Sequence, residues 1–127
     1  MPASEESVRN HKHFIYMEGR ETFKLAVNAM VSASEEALTK AGVTTDQVAL
    51  VIPHQANLRI IQAVAKRLGV GEDRVYCNIQ RYGNTSSASI GLALDEACRK
   101  GRLKRGDLVL FTTFGGGLAW GAMLIRY

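Results

Sequence analysis

The fold of this chain can be inferred from Val48-Ala49-Leu50-Val51-Ile52-Pro53-His54-Gln55-Ala56-Asn57. The first five residues of this stretch are all apolar, which is typical of a strand that helices cover on both faces. Pro53 closes the apolar run, and His54 follows it in a turn. The stretch therefore predicts a layered α/β core with an imidazole at the end of a buried strand.

Helical periodicity flanks this strand on both sides. Upstream, residues 20–41 predict an amphipathic helix that ends at Gly42. Downstream, a second helix carries Lys66 and Arg67 in its last turn and ends at Gly69. Its apolar face consists of Leu58, Ile61, Val64, Ala65 and Leu68. A helix, a buried strand and a helix in succession indicate an α/β arrangement.

The remaining elements are shorter or lie further along the chain. Residues 13–17 and 75–77 predict short strands, and a helix is expected from Thr85 or Ser86 to about residue 99. Residues 108–113 predict another buried strand, which a glycine turn joins to a final strand over residues 118–126. We expect these last two strands to pair antiparallel, so that helices are layered around a mixed sheet.

Composition limits the classes of protein to consider. The 127 residues suit one domain, with 46% hydrophobic and 22% charged residues. No segment is apolar enough to span a membrane, and the two cysteines form no CxxC pair, so we expect a cytoplasmic protein without a metal site. The net charge of +4 favours acidic partners, but aromatic residues do not interleave the basic run at residues 99–105, which argues against nucleic acid. Residues 1–12 are polar, and we expect them to be flexible.

Three turns carry the candidate chemistry. They are the His54 turn, the Gly83-Asn84-Thr85-Ser86-Ser87 turn and the Phe114-Gly115-Gly116-Gly117 turn. A neutral imidazole and a carboxamide can both donate a hydrogen bond to one developing oxyanion, and glycine backbone N–H groups can add to them. Taken singly, each turn also fits a structural histidine, a common turn dipeptide or a plain hairpin.

The three motifs together resemble those of the C-terminal half of the β-ketoacyl-acyl-carrier-protein synthase III family. The resemblance includes Trp120-Gly121 behind the glycine turn and runs from about residue 13 to residue 127 in the same order. It implies a thiolase-like domain over residues 13–127. The three consecutive glycines differ from the glycine-proline-glycine turn of the plant chalcone synthase relatives.

The resemblance also implies roles for five residues. His54 and Asn84 match the pair that stabilises the enolate formed as malonyl thioester loses carbon dioxide. Gly116 matches a backbone oxyanion donor, Asn57 a contact to the pantetheine arm, and Arg59 a basic residue that receives acyl carrier protein or coenzyme A. The implied substrates are acyl-coenzyme A and malonyl-carrier thioesters, without a further cofactor, and the complete enzymes are homodimers.

The family's nucleophilic cysteine lies in an N-terminal half that these 127 residues do not include. Cys98 is expected near a helix C-terminus and Cys77 in a strand, and neither position lowers the pKa of a thiol as a helix N-terminus would. We therefore expect no condensation by this chain alone, and we expect the missing half or a second subunit as a partner. The alternatives are a non-catalytic module that binds a carrier protein or completes a subunit, a related polyketide- or quinolone-type condensing enzyme, and a plain α/β domain.

Overall fold

The computed structural model, which describes residues 3–14 and 18–127, contains both helices and strands. The helices are α1 (Glu5–Arg9), α2 (Gly19–Ala41), α3 (Leu58–Leu68), α4 (Ile79–Tyr82) and α5 (Ala88–Arg99). The strands are β1 (Val48–Pro53), β2 (Leu108–Gly115) and β3 (Ala119–Arg126). Two 3₁₀ turns, Thr45–Gln47 and Glu72–Arg74, precede β1 and α4 respectively.

The described strands form one mixed sheet in the order β1-β2-β3. β1 pairs parallel with β2, and Pro53 lies opposite Thr112 at the end of that ladder. β2 pairs antiparallel with β3 up to Gly115 and Ala119, which leaves a three-residue turn between them. The predicted mixed sheet and the antiparallel pair across the glycine turn are both confirmed.

Helices cover β1 on both faces, as its uninterrupted apolar sequence predicted. On one face, Val48, Val51 and Leu110 pack in a core with α2 and α3. On the other face, Leu50 and Ile52 pack in a second core with α5. Full burial of a side chain such as Ile52 contributes about 1.5 to 3 kcal/mol to stability, so both cores hold the strand that carries His54.

The ends of α2 and α3 follow their predicted signals. Gly42 and Gly69 both adopt left-handed backbone conformations, with φ of 64° and 68°, immediately after the helices. α3 begins where the side chain of Asn57 accepts a hydrogen bond from the backbone of Arg59 at 2.9 Å. The four buried residues of α3 are Ile61, Val64, Ala65 and Leu68. The predicted apolar face of α3 is thus largely confirmed, although Leu58 is exposed.

Four local expectations differ from the structure. Residues 75–77 form only an isolated bridge between Val75 and Val51, because the chain turns into α4 directly afterwards. α4 was not expected, and it places Asn84 after a helix instead of a strand. α5 begins at Ala88, two or three residues later than predicted, after an Asn84 turn. His13 and Phe14 are in a turn and a bend, and the rest of that expected strand, residues 15–17, lies outside the described residues.

The polar N-terminal segment contains α1 within its described part. Ser4 caps this helix. Its side chain accepts a hydrogen bond from the Ser7 backbone N–H at 3.1 Å, and its own backbone N–H donates to the Ser7 hydroxyl at 2.7 Å. Sequence periodicity could not reveal a helix of five residues whose described side chains are mostly polar. The flexibility of residues 1–12 stays a prediction.

Candidate active site

The His54 backbone continues the pairing of β1 with β2. Its N–H donates a hydrogen bond to the carbonyl of Thr112 at 2.8 Å, one residue beyond the last paired position of β1. Because β1 and β2 are parallel, their carboxyl ends lie at the same edge of the sheet. His54 and the glycine turn after β2 therefore belong to one edge, which is where open α/β sheets usually bind ligands.

The His54 side chain is half-buried and contacts α5. Its Nδ1 atom lies 2.6 Å from the Ser89 hydroxyl oxygen, which is buried in the first turn of that helix. Burial lowers the pKa of His54 below its usual value of 6.5, because an imidazolium ion loses hydration there. His54 is consequently neutral at pH 7 and can donate a hydrogen bond without first releasing a proton.

Gln55 is fully buried and uses its whole side-chain amide. Its Nε2 donates to the carbonyls of Pro53 at 2.8 Å and Tyr76 at 3.2 Å. Its Oε1 accepts from the backbone N–H groups of Asn78 at 3.0 Å and Ile79 at 3.2 Å. One side chain thus joins the end of β1 to the start of α4, and it does so with no unsatisfied polar atom.

An acidic side chain extends this connection to α5. Asn78 Nδ2 donates to Glu96 at 2.8 Å, and Arg81 and Lys100 also pair with this carboxylate. The hydrogen bond from Lys100, followed by that from Asn78, lowers the pKa of Glu96. Glu96 therefore stays ionised and holds α4, whose last residue is followed by the Asn84 turn, against α5.

Asn84 is exposed and forms a turn with the residues that follow it. Its Oδ1 accepts the backbone N–H of Ser86 at 2.9 Å, so the amide nitrogen remains as the donor. Gly83 before it adopts φ of 66° and ψ of −158°, which a side chain would disfavour. Ser89, which contacts His54, is five residues after Asn84 (89 − 84), so the start of α5 connects both predicted residues.

The other predicted residues are exposed around this edge. Gly116 is in the turn after β2, and a Cβ atom there would meet nothing within 4 Å. The positive φ of this turn, 143°, belongs to Gly117 and not to Gly116. Asn57 and Arg59 are at the start of α3, and the capping bond of Asn57 engages its oxygen but not its amide nitrogen.

Sequence reasoning did not assign roles to Gln55, Asn78 or Ser89. Gln55 is part of the motif around His54, and Ser89 lies near the predicted start of a helix. The available signal was polarity within apolar surroundings, because a buried polar side chain must find partners. Which partners it finds depends on contacts 18 to 35 residues away along the chain.

The described residues contain neither a metal-binding cluster nor a membrane-spanning helix. Within residues 3–14 and 18–127, no three His, Cys, Asp or Glu side chains form a cluster that could hold a metal ion. No helix in that same part of the chain is both long and apolar enough to cross a membrane.

Residues 38–127 match the family model described as 3-oxoacyl-[acyl-carrier-protein (ACP)] synthase III C terminal. The chain is 55% identical over 127 residues to the β-ketoacyl-[acyl-carrier-protein] synthase III of Roseiflexus castenholzii, and covers 100% of itself and 38% of that relative. It is 57% identical over 114 residues to the enzyme of Aquifex aeolicus, covering 90% of itself and 37% of the relative.

Solved structures give the same result. The crystal structure of 3-oxoacyl-[acyl-carrier-protein] synthase III from Aquifex aeolicus superposes with a TM-score of 0.89 at 55% identity, over 93% of this chain and 38% of that one. The corresponding enzyme from Pseudomonas aeruginosa gives a TM-score of 0.89 at 36% identity, over 99% of this chain and 38% of that one. The chain therefore spans less than half the length of the relatives it matches.

Proposed function

The chain belongs to the 3-oxoacyl-[acyl-carrier-protein] synthase III family, whose C-terminal part it matches, and we propose that it supplies the decarboxylating half of such an active site. Its fold is thiolase-like, with helices on both faces of a mixed sheet. In a complete enzyme it would condense an acyl-coenzyme A starter with malonyl-acyl carrier protein and so initiate fatty acid biosynthesis.

One observation carries this proposal. The amide oxygen of Asn84 and one ring nitrogen of His54 are each engaged by this chain's own residues, Ser86 and Ser89. Each side chain therefore keeps one nitrogen for a substrate, Nε2 of His54 and Nδ2 of Asn84, and both nitrogens belong to turns that the start of α5 connects. Two preorganised donors of this type suit a carbonyl oxygen that gains negative charge.

The chemistry follows from these donors. When malonyl thioester releases carbon dioxide, the electrons of the broken bond form an enolate whose oxygen carries the charge, and His54 and Asn84 would stabilise that oxygen. The enolate carbon then attacks the acyl thioester on a cysteine outside these residues, and the tetrahedral oxyanion that forms collapses by breaking the carbon–sulfur bond and releasing the cysteine thiolate. The backbone N–H of Gly116 would bind the oxyanion of that second step. Hydrogen bonds stabilise the negative charge in both steps, so the proposal needs no metal or further cofactor.

The exposed start of α3 suits the substrate's carrier. The free amide nitrogen of Asn57 can contact a pantetheine arm. Arg59 is exposed two residues further along, in the first turn of α3. Lys66 is seven residues further (66 − 59), about 10 Å along the same face of α3. A positive stripe of this kind would attract an acidic acyl carrier protein or the phosphates of coenzyme A.

An apolar groove marks where the rest of a complete enzyme would pack. It lies beside α5 over β2 and β3, encloses about 480 Å³ and includes Phe111 and Met123. Met123 in this groove is 58% exposed. Such a surface is typical of a contact region, and the relatives are more than twice as long as this chain. We propose that a cysteine-bearing N-terminal half covers it and that the complete enzyme, located in the cytoplasm, is a homodimer.

The proposal is tested by restoring the missing half. The N-terminal part of the Roseiflexus castenholzii relative is fused to this chain, and this joined enzyme is supplied with acyl-coenzyme A and malonyl-acyl carrier protein. We expect β-ketoacyl product from the joined enzyme and none from the chain alone. In the joined enzyme, His54→Ala and Asn84→Ala should each lower decarboxylation by about 100-fold or more, as loss of an oxyanion donor does.

Asn10→Ala is the matched control, because Asn10 is exposed after α1 and remote in sequence from the three turns. It should leave decarboxylation unchanged. If both active-site variants keep full decarboxylation while the joined enzyme still binds the carrier, the chain is a binding module and the proposed roles are wrong. Turnover by the chain alone would contradict the need for a second half.

A further inference from the structure

The hydroxyl of Ser89 contacts two groups of the His54 turn. Its oxygen lies 2.6 Å from Nδ1 of His54 and 3.2 Å from the backbone nitrogen of Gln55. Ser89 is only 1% exposed, so water does not compete for these contacts. The hydroxyl is therefore a buried junction between the imidazole and the backbone beside it.

The backbone N–H of Gln55 can only donate, so the Ser89 oxygen must act as its acceptor. The hydroxyl hydrogen then needs an acceptor of its own. Within residues 3–14 and 18–127, Nδ1 of His54 is the one acceptor that the side chain of Ser89 reaches. If Nδ1 carried the ring proton instead, the hydroxyl hydrogen would be buried without a partner, which is unfavourable.

From this proton accounting we propose that Ser89 is a positioning residue that holds His54 as the neutral tautomer with its proton on Nε2. The hydroxyl donates to Nδ1, and the ring donates from its opposite edge. Burial of the ring supports the neutral form independently, since it lowers the pKa of His54. A donor placed against Nδ1 also opposes protonation of that atom.

The value of this arrangement in catalysis rests on the proposed function. An oxyanion needs N–H donors, and the Nε2–H tautomer supplies one in addition to the amide nitrogen of Asn84, whose oxygen is engaged by Ser86. The other tautomer would present a lone pair at Nε2 and repel the enolate. Ser89 would thus determine whether His54 acts as a donor at all.

The tautomer can be measured in the 127-residue chain without any substrate. Nitrogen-15 NMR of the histidine rings distinguishes a protonated from an unprotonated ring nitrogen. We expect the protonated nitrogen of His54 to be Nε2 above pH 7. A proton on Nδ1 would overturn the proposal directly, and this result requires no variant to fold.

Ser89→Ala tests the role of the hydroxyl. Loss of one hydrogen bond should lower the ratio of the Nε2–H to the Nδ1–H tautomer by about 5- to 10-fold and raise the pKa of His54. Ser87→Ala is the control, because Ser87 precedes α5 without a side-chain capping bond and is exposed. Equal tautomer ratios in Ser89→Ala and the wild type would contradict the proposal.

The joined enzyme adds a separate kinetic result. Ser89→Ala should lower kcat for decarboxylation by about 5-fold or more, while KM for malonyl-acyl carrier protein and acylation of the cysteine stay unchanged. Ser89→Thr, which keeps the hydroxyl, should recover both the tautomer and kcat. If the tautomer is as proposed but Ser89→Ala leaves kcat unchanged, the donor role of His54 is wrong while the inference about Ser89 stands.

Discussion

The His54 turn and the glycine turn are at the same edge of the sheet, but they are held very differently. The His54 turn is held by contacts inside the chain, from Thr112 to its backbone, from Ser89 to its ring and through Gln55 to α4. The glycine turn is exposed, and a Cβ at Gly116 would contact nothing nearby. Contacts within this chain fix the conformation of the His54 turn, whereas the glycine turn leaves its backbone groups open to a partner.

This difference matches how the two turns would work. A side-chain donor must be oriented before the oxyanion forms, so His54 needs surrounding contacts that fix its ring. A backbone donor needs only an open approach, which glycine provides. The apolar groove lies over β2 and β3, the two strands that the glycine turn joins, so the exposed turn belongs to a part of the fold that this chain does not cover.

The largest expected effect comes from removing the side-chain hydrogen bonds of Gln55, the residue that follows His54. Gln55→Leu removes the partners of four backbone groups at once, because Gln55 bonds Pro53, Tyr76, Asn78 and Ile79. We expect the free energy of unfolding to fall by about 3 kcal/mol or more. Urea denaturation of the chain measures this loss.

Gln62→Leu is the matched control, since Gln62 is exposed on α3. The same substitution there should change the free energy of unfolding by less than about 0.5 kcal/mol. Equal losses in the two variants would show that the connection through Gln55 does not hold the turn.

A smaller effect should separate two neighbouring glycines in the open turn. Gly117→Ala places a side chain at φ of 143°, with its Cβ 3.3 Å from the Ala119 backbone nitrogen, and should cost about 1 to 3 kcal/mol. Gly116→Ala meets no such contact and should change stability by less than about 1 kcal/mol. Thermal unfolding of both variants measures the difference. A larger loss at Gly116 would mean that its conformation is constrained within this chain.

Periodicity predicted the parts of the fold that local sequence determines. The boundaries of α2 and α3 and the strand that carries His54 agree with it, because their apolar patterns and terminal glycines act over a few residues. It failed at α4, which is only four residues long, and which contacts through Gln55 and Glu96 hold in place. The candidate site shows the same division: His54 and Asn84 were recognisable as motifs, whereas the role proposed for Ser89 depends on a contact 35 residues away.

The smallest effect concerns the charge state of His54. Its pKa is lowered in the folded chain, so the unfolded chain binds more protons as the pH falls below about 6.5. Stability should therefore be constant above this value and decrease below it, and only slightly, because the ring is half exposed. Urea denaturation at several pH values, with His54→Gln as the reference, isolates this contribution. As the pH drops, the free energy of unfolding of the wild type should decrease relative to that of His54→Gln. A change in the opposite direction would mean that the folded chain stabilises the imidazolium, and the neutral donor assigned to the enclosed turn would then be wrong.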